Sequence, residues 1–206
     1  MPPSSAGCLI LRVAANRRHY ESVAALLNSE QDPAQSRERK RAVPGTFLIT
    51  FTCYGAKLHG ELGAVDLRHN IPGTPRLAQD SACLALQRER MLQPPYALDA
   101  TRRSTALGAI RRLCDQKEWL LLAAHVRTNH VHTVVQAEAT PEWVMSSCKR
   151  AASRALNELR LDDQYDRRRW ARHGSTRYIW TKEQLSAAIR YTVSGQGVPL
   201  AVYEAP

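Results

Sequence analysis

No stretch of this chain is long and apolar enough to cross a bilayer. The best run, Trp119 to Ala124, falls far short of the ~20 residues that a helical span needs, so no membrane partner is expected. The chain also lacks any CxxC pair. Its cysteines (Cys8, Cys53, Cys83, Cys114 and Cys148) are odd in number and scattered, which argues against a disulfide framework or a zinc knuckle and leaves reduced structural thiols. The apolar run Cys8 to Ala15 is followed rather than preceded by Arg17 and Arg18. That is the reverse of a secretory signal, and a cytoplasmic location is expected. No internal repeat is visible. Acidic residues are in deficit, with 19 Asp and Glu against 29 Lys and Arg, a formal net charge of +10. Arginine dominates the excess. Its planar guanidinium binds phosphates bidentately and stacks on bases, so a nucleic-acid partner is the leading inference, with a generically basic surface as the alternative.

What is present is enough for one sizeable domain and an appendage: 206 residues, 44% of them hydrophobic. Residues 1–42 show no core pattern, and Glu30 to Arg41 is charged and polar, so this part reads as an N-terminal extension, with a short helix at His19 to Asn28. The working domain is residues 43–206. Thr46 to Cys53 reads as a first strand, Tyr54 to Pro75 as a long Gly- and Pro-containing loop, and Gln79 to Leu92 as a helix. Asp99 is the expected N-cap of a helix reaching about Lys117. Trp119 to Val126 and Thr128 to Gln136 read as two strands or one long bent strand. Thr140-Pro141-Glu142 opens a helix through Leu159. Asp162 to Gly174 reads as a charged connection and Thr176 to Trp180 as a short strand. A capping box, Thr181-Lys182-Glu183-Gln184, starts a last helix ending near Gly195. This order suits an α+β sandwich with a largely antiparallel sheet.

Three features carry chemistry. His130 and His132 lie two apart in a strand-like segment and so line one face. Two adjacent imidazoles repel if protonated and need partners if neutral. A bound cation resolves this, although such a pair alone is more often structural. Tyr191, near the end of the last helix, is either a half-buried packing residue or a nucleophile helped by a nearby divalent metal, because a free phenol ionises only near pH ~10. The run Arg167, Arg168, Arg169, Arg172, His173 and Arg177 is interleaved with Trp170, Tyr178 and Trp180, and Lys149, Arg150 and Arg154 add cations on the preceding helix. Cations for phosphates and aromatics for bases make a single-strand binding surface, unless the Trp residues simply enter the core.

Together these segments resemble the HUH single-tyrosine transposases of the insertion-sequence and REP-associated kind. Phe47 to Gly60 looks like that family's opening strand and loop, and His125 to His132 like its histidine–hydrophobe–histidine strand. Trp170 to Trp180, leading to Arg190-Tyr191-Thr192-Val193 and Gly195-Gln196-Gly197, matches its tyrosine region. The resemblance covers roughly Thr46 to Leu200. It implies a ferredoxin-like antiparallel sheet with helices on one side, a homodimer, and Mg²⁺ or Mn²⁺ held by His130, His132 and a polar third ligand. It implies further that Tyr191 attacks hairpin-forming single-stranded DNA to give a 5′-phosphotyrosine, in DNA transposition. One departure stands out. Several relatives carry a glutamine four residues after the tyrosine, where this chain has Gly195, and its glutamine is Gln196. Five residues on a regular helix rotate by ~140° away from the tyrosine, so Gln196 reaches the site only if the helix breaks. His59 and His125 are weaker substitutes, His125 being expected on the opposite strand face. The alternatives are a DNA-hairpin or repeat binder that has lost cleavage, and an RNA-binding sheet, which the absence of an aromatic RNP-type strand disfavours.

Overall fold

Alternation builds the first strand, β1 (Gly45–Cys53). Phe47, Ile49, Phe51 and Cys53 are buried on one face, while Leu48, Thr50 and Thr52 turn to the other. The computed structural model describes residues 45–61, 78–162 and 166–206. The expected extension 1–42 with its helix, and most of the loop expected up to Pro75, lie outside the described residues. After β1 come two helices, α1 (Ser81–Glu89) and α2 (Ala100–Gln116), then β2 (Leu120–Val126) and β3 (His130–Ala137). Next are α3 (Pro141–Glu158), β4 (Trp170–Ile179), α4 (Lys182–Val193) and β5 (Ala201–Glu204).

Local side chains start the helices. Asp80, Asp99, Thr140 and Thr181 each accept a hydrogen bond from the amide three residues on, at α1, α2, α3 and α4 respectively. Gln184 does reach back, but to the amide of Trp180, one residue before the cap.

Every strand pair is antiparallel, and the sheet order is β4-β1-β3-β2-β5. The first four strands with α2 and α3 form a ferredoxin-like α+β unit, and β5 extends its edge. β2 and β3 are two strands of a tight hairpin: Val126 pairs with Val131, His125 with His132, and the Arg127 amide donates to the His130 carbonyl at 2.8 Å. The main core lies between one sheet face and α2 and α3, where Phe51, Ile110, Val131, Val135, Cys148 and Leu156 interlock. Helices are not confined to that side, as had been expected. Leu185 and Ala188 of α4 cover the other face, against Leu120, Leu122, Ala123, Val134 and Ile179. The buried apolar patch there gives α4 an area to remove from water.

β4 corrects the expected connection at 162–174: the strand already begins at Trp170. The Trp170 ring packs edge-on against Phe51, with centroids 5.1 Å apart, and its indole N–H donates to Ser153 Oγ at 2.9 Å. Tertiary pairing with β1 overrides the poor strand propensity of a charged segment. The charges then suit an edge strand, where they oppose pairing with another chain.

Candidate functional site

His130 and His132 project from β3 on the face that carries α4, in adjacent positions of one pleat. Their rings meet edge-to-face with centroids 4.8 Å apart. His132 is buried and lies in a row across the sheet, with Thr50 of β1 on one side and His125 of β2 on the other. Thr50 Oγ1 is 2.7 Å from His132 Nδ1, and Asn129 Oδ1 is 2.7 Å from His130 Nδ1. An amide oxygen only accepts, so His130 carries its proton on Nδ1 and leaves the Nε2 lone pair free. Burial pushes both histidines below the ordinary imidazole range. For His132 the neighbouring His130 adds to this, and its pKa falls to about 4. At neutral pH the pair is therefore uncharged.

Tyr191 belongs to the last turn of α4, opposite this pair. Its ring meets that of His132 edge-to-face at 5.3 Å, and 46% of the residue is open to solvent. A groove of about 640 Å³ opens beside it, lined by Thr50, Ser175, Arg177 and Gln184 among others, so an extended ligand has access to the phenol.

The helix ends at Val193, before Gln196. The amides of Ser194 and Gly195 both donate to the Arg190 carbonyl, at 2.9 and 3.0 Å, and Gly197 has a φ of +76°. This turn reverses the chain and brings Gln196 back. Its Nε2 donates to the Tyr191 carbonyl at 3.3 Å. Its carboxamide lies near enough to both imidazoles to favour their protonated forms, against the larger effect of burial. Two imidazoles, a carboxamide and a phenol thus share one corner of the sheet. Gly195 permits the turn: a β-carbon there would stand 2.9 Å from both Cα and O of Tyr191.

His125 is on the same face as His132, not the opposite one, because the hairpin at 127–129 makes the two cross-strand neighbours. Both its nitrogens are engaged: Nδ1 donates to the Thr192 carbonyl at 2.9 Å, and Nε2 accepts from the Leu200 amide at 3.2 Å. No lone pair remains for a cation. His59 is exposed, in the segment after β1.

Sequence reasoning missed Thr50, Asn129, Arg127 and Lys57. Thr50 comes from another strand and gave no signal. Asn129 could have been read from its position next to His130. The charges of Arg127 and Lys57 add to burial, the larger cause, in lowering the His130 pKa.

The basic segment divides. Lys149 Nζ donates to the carbonyls of Ala171 at 2.9 Å and His173 at 3.1 Å. Arg167 binds Gln93 Oε1 and the carbonyls of Pro94 and Pro95. Arg169 is buried and holds Asp162 through Nε and Nη2, at 3.1 and 2.6 Å. These three side chains are engaged by internal partners. Arg150, Arg154, Arg168, Arg172 and Arg177 are exposed, although the Arg150 guanidinium lies over Trp143. Trp170 enters the core and Tyr178 packs on Phe47. Trp180, stacked on Tyr178 at 5.3 Å and 57% exposed, is the aromatic of this segment presented to solvent.

Among the described residues no three His, Cys, Asp or Glu side chains gather as a metal site. No family model and no curated protein matches the chain. A solved structure of a REP-associated tyrosine transposase bound to a REP hairpin is similar over 81% of this chain and 72% of that one, at 10% identity and a TM-score of 0.43.

Proposed function

We propose that this chain cuts and rejoins single-stranded DNA through Tyr191, as a transposase of the HUH single-tyrosine kind, with His130, His132 and Gln196 holding Mg²⁺ or Mn²⁺. The observation that carries the reading is the seating of Tyr191 against His132, at 5.3 Å between ring centroids. Two elements far apart in sequence bring the phenol to the histidine pair.

The residues fit a divalent cation. Both imidazoles are neutral, and Asn129 and Thr50 hold their Nδ1 atoms, an outer-shell arrangement that orients a ligating histidine. Gln196 supplies an uncharged oxygen. Nitrogen donors suit Mn²⁺ better than Mg²⁺, so Mn²⁺ is expected to bind more tightly. When bound, the cation neutralises charge on the phosphate under attack.

The phenol oxygen of Tyr191 forms a bond to phosphorus as the P–O3′ bond breaks. The phenolic proton is lost, and the departing 3′-oxygen gains one. The product is a 5′-phosphotyrosine and a free 3′-hydroxyl, and attack by a 3′-hydroxyl on that ester reverses the step without an external energy source. Arg127 and Lys57 give the corner a positive potential that draws phosphate. Arg154, Arg168, Arg172 and Arg177 supply exposed cations for the backbone of a hairpin-forming strand. Tyr191 serves the histidines of its own chain, so one chain makes a complete site, and a homodimer would carry two.

The test is incubation of the chain with labelled single-stranded DNA hairpins and Mn²⁺. A covalent protein–DNA adduct is expected. Tyr191→Phe should abolish it with hairpin affinity retained, and His130→Ala should do the same, because basic contacts supply most of the affinity. Tight hairpin binding with no adduct from the wild-type chain would sink the catalytic reading and leave a DNA-binding protein.

A further inference from the structure

We infer that His125 is a positioning residue, a buried imidazole that clasps both ends of the loop between α4 and β5 and so sets where Gln196 meets His130 and His132. The inference rests on the reading of Gln196 as a ligand. His125 is fully buried in β2, directly across from His132. Its Nδ1 donates to the carbonyl of Thr192, the residue after the proposed nucleophile, and its Nε2 accepts from the amide of Leu200, just before β5. The Thr192 carbonyl lies in the last turn of α4, where carbonyls lack a helical donor, and His125 satisfies it.

The loop has no apolar anchor of its own. Ser194, Gly195, Gly197, Val198 and Pro199 are all exposed, Val198 at 77%. It is therefore held by polar bonds. Four of these tie it to its own helix: the Ser194 amide, the Ser194 hydroxyl and the Gly195 amide donate to the Arg190 carbonyl, and Gln196 donates to the Tyr191 carbonyl. Two side chains tie it to the end of β2: Arg127, which donates to the Val198 carbonyl at 3.1 Å, and His125. The Arg127 bond is exposed and open to competition from water. The His125 bond to Thr192 is buried and the one from Leu200 partly so, and a buried polar group left without its partner is expensive. Because His125 also flanks His132 in the sheet, one side chain references the loop to the strand that carries the histidine pair. An aliphatic residue of similar size would fill the space without holding either backbone group.

The experiment compares wild type, His125→Leu, Gln196→Ala and the double variant, using amide hydrogen exchange and Mn²⁺ titration on DNA-free protein. In His125→Leu, amides at 194–200 should exchange about tenfold faster while β1 and β3 keep their protection, and Mn²⁺ affinity should fall about tenfold, the loss expected for one hydrogen bond of ordinary net strength. In the Gln196→Ala background the same change should alter Mn²⁺ affinity by less than about twofold, because a residue that acts through another is non-additive with it. Unchanged loop exchange in a folded His125→Leu protein overturns the clasp. Equal losses of affinity in both backgrounds overturn its action through Gln196. If the wild-type chain binds no Mn²⁺, the metal reading falls, and the exchange comparison still decides the clasp. Should His125→Leu not fold, Leu200→Pro removes the amide donor to Nε2 while leaving His125 in place, and the same loosening of the loop is expected.

Discussion

Replacing Gly195 with alanine tests the turn that returns Gln196 to the site. The added methyl would lie 2.9 Å from Cα and O of Tyr191 and 3.3 Å from its carbonyl carbon. All three are backbone atoms, so no side chain can rotate aside. Ordinary carbon contacts sit near 3.5 Å, so the loop and the helix end must separate by about 0.6 Å. Overpacking of this kind costs about 1–3 kcal/mol, and the stiffer unfolded chain offsets about 0.4–1 kcal/mol of it. The net loss is about 1–2 kcal/mol, or a fall of about 2–8 °C in Tm for a chain of this size. The separation also moves Gln196 away from the imidazoles, so Mn²⁺ affinity should fall in the same preparation. Gly197 is the control. It needs glycine for its φ of +76°, but a β-carbon there meets nothing closer than Arg127 Nη2 at 4.0 Å. Gly197→Ala should cost about 1 kcal/mol, and Gly197→Asn less, because Asn tolerates the left-handed region. Gly195→Asn should be worse than Gly195→Ala. Thermal unfolding by circular dichroism reads all four variants. A Gly195→Ala protein with wild-type Tm, or one rescued by Asn, would refute the close approach as the reason for glycine.

Two further predictions concern the basic residues. Asp162→Asn should destabilise the chain by about 3 kcal/mol in urea unfolding at pH 7, because it leaves the Arg169 side chain, 4% exposed, without its charge partner. Burial raises the Asp162 pKa, but the hydrogen bonds and charges of Arg169 and Arg102 outweigh it and hold the carboxyl below the usual range. With a depressed folded pKa, the contribution is complete above the unfolded value of about 3.9 and is lost as pH falls through the folded one, so the wild-type advantage over Asp162→Asn should shrink below about pH 4. Arg172→Ala and Arg177→Ala, at exposed positions, should each reduce the salt slope of hairpin binding by about one with stability unchanged, whereas Arg169→Ala should lower Tm. A reversed pattern in fluorescence-anisotropy titrations at several salt concentrations would refute the division of the arginines into free and internally bound.

Local chemistry was legible, and long-range pairing was not. Asp99, Thr140 and Thr181 announced their helices because an N-cap acts within three residues. β1 and β3 were readable because their burial alternates or runs unbroken in β-branched residues. β4 was hidden because Arg172, His173 and Arg177 are polar, and the partner strand and the anchoring of Trp170 make that segment extended. β5 is four residues long and has no pattern of its own. The placement of α4 on the second face follows from an apolar patch assembled by β2, β3 and β4 together, which no single segment displays.

The same division explains the site. A run of cations in sequence was read as one surface, yet along a strand adjacent residues face opposite ways, and at the strand's entry they turn inward. Arg169 therefore closes onto Asp162 while Arg168 beside it stays exposed. The angular argument against Gln196 applies to a continuous helix, and the helix ends at Val193, the break on which a return of Gln196 depends. Once the chain leaves α4 at Val193, the ~100° per residue of a helix no longer applies, and the orientation of Gln196 is set by what stops the helix. That is the Arg190 carbonyl accepting from the amides of Ser194 and Gly195 and from the Ser194 hydroxyl, the glycine that fits against Tyr191, and the His125 bonds at either end of the loop. Gly195 stands at the expected position of the glutamine, and the displacement by one residue is compatible with the site because a glycine there is what turns the next residue inward. On this argument, moving the glutamine to position 195 with glycine at 196 would not restore a better site. A glutamine side chain at 195 would collide with the Tyr191 backbone, and the double variant Gly195→Gln, Gln196→Gly should bind Mn²⁺ more weakly than wild type in a direct titration.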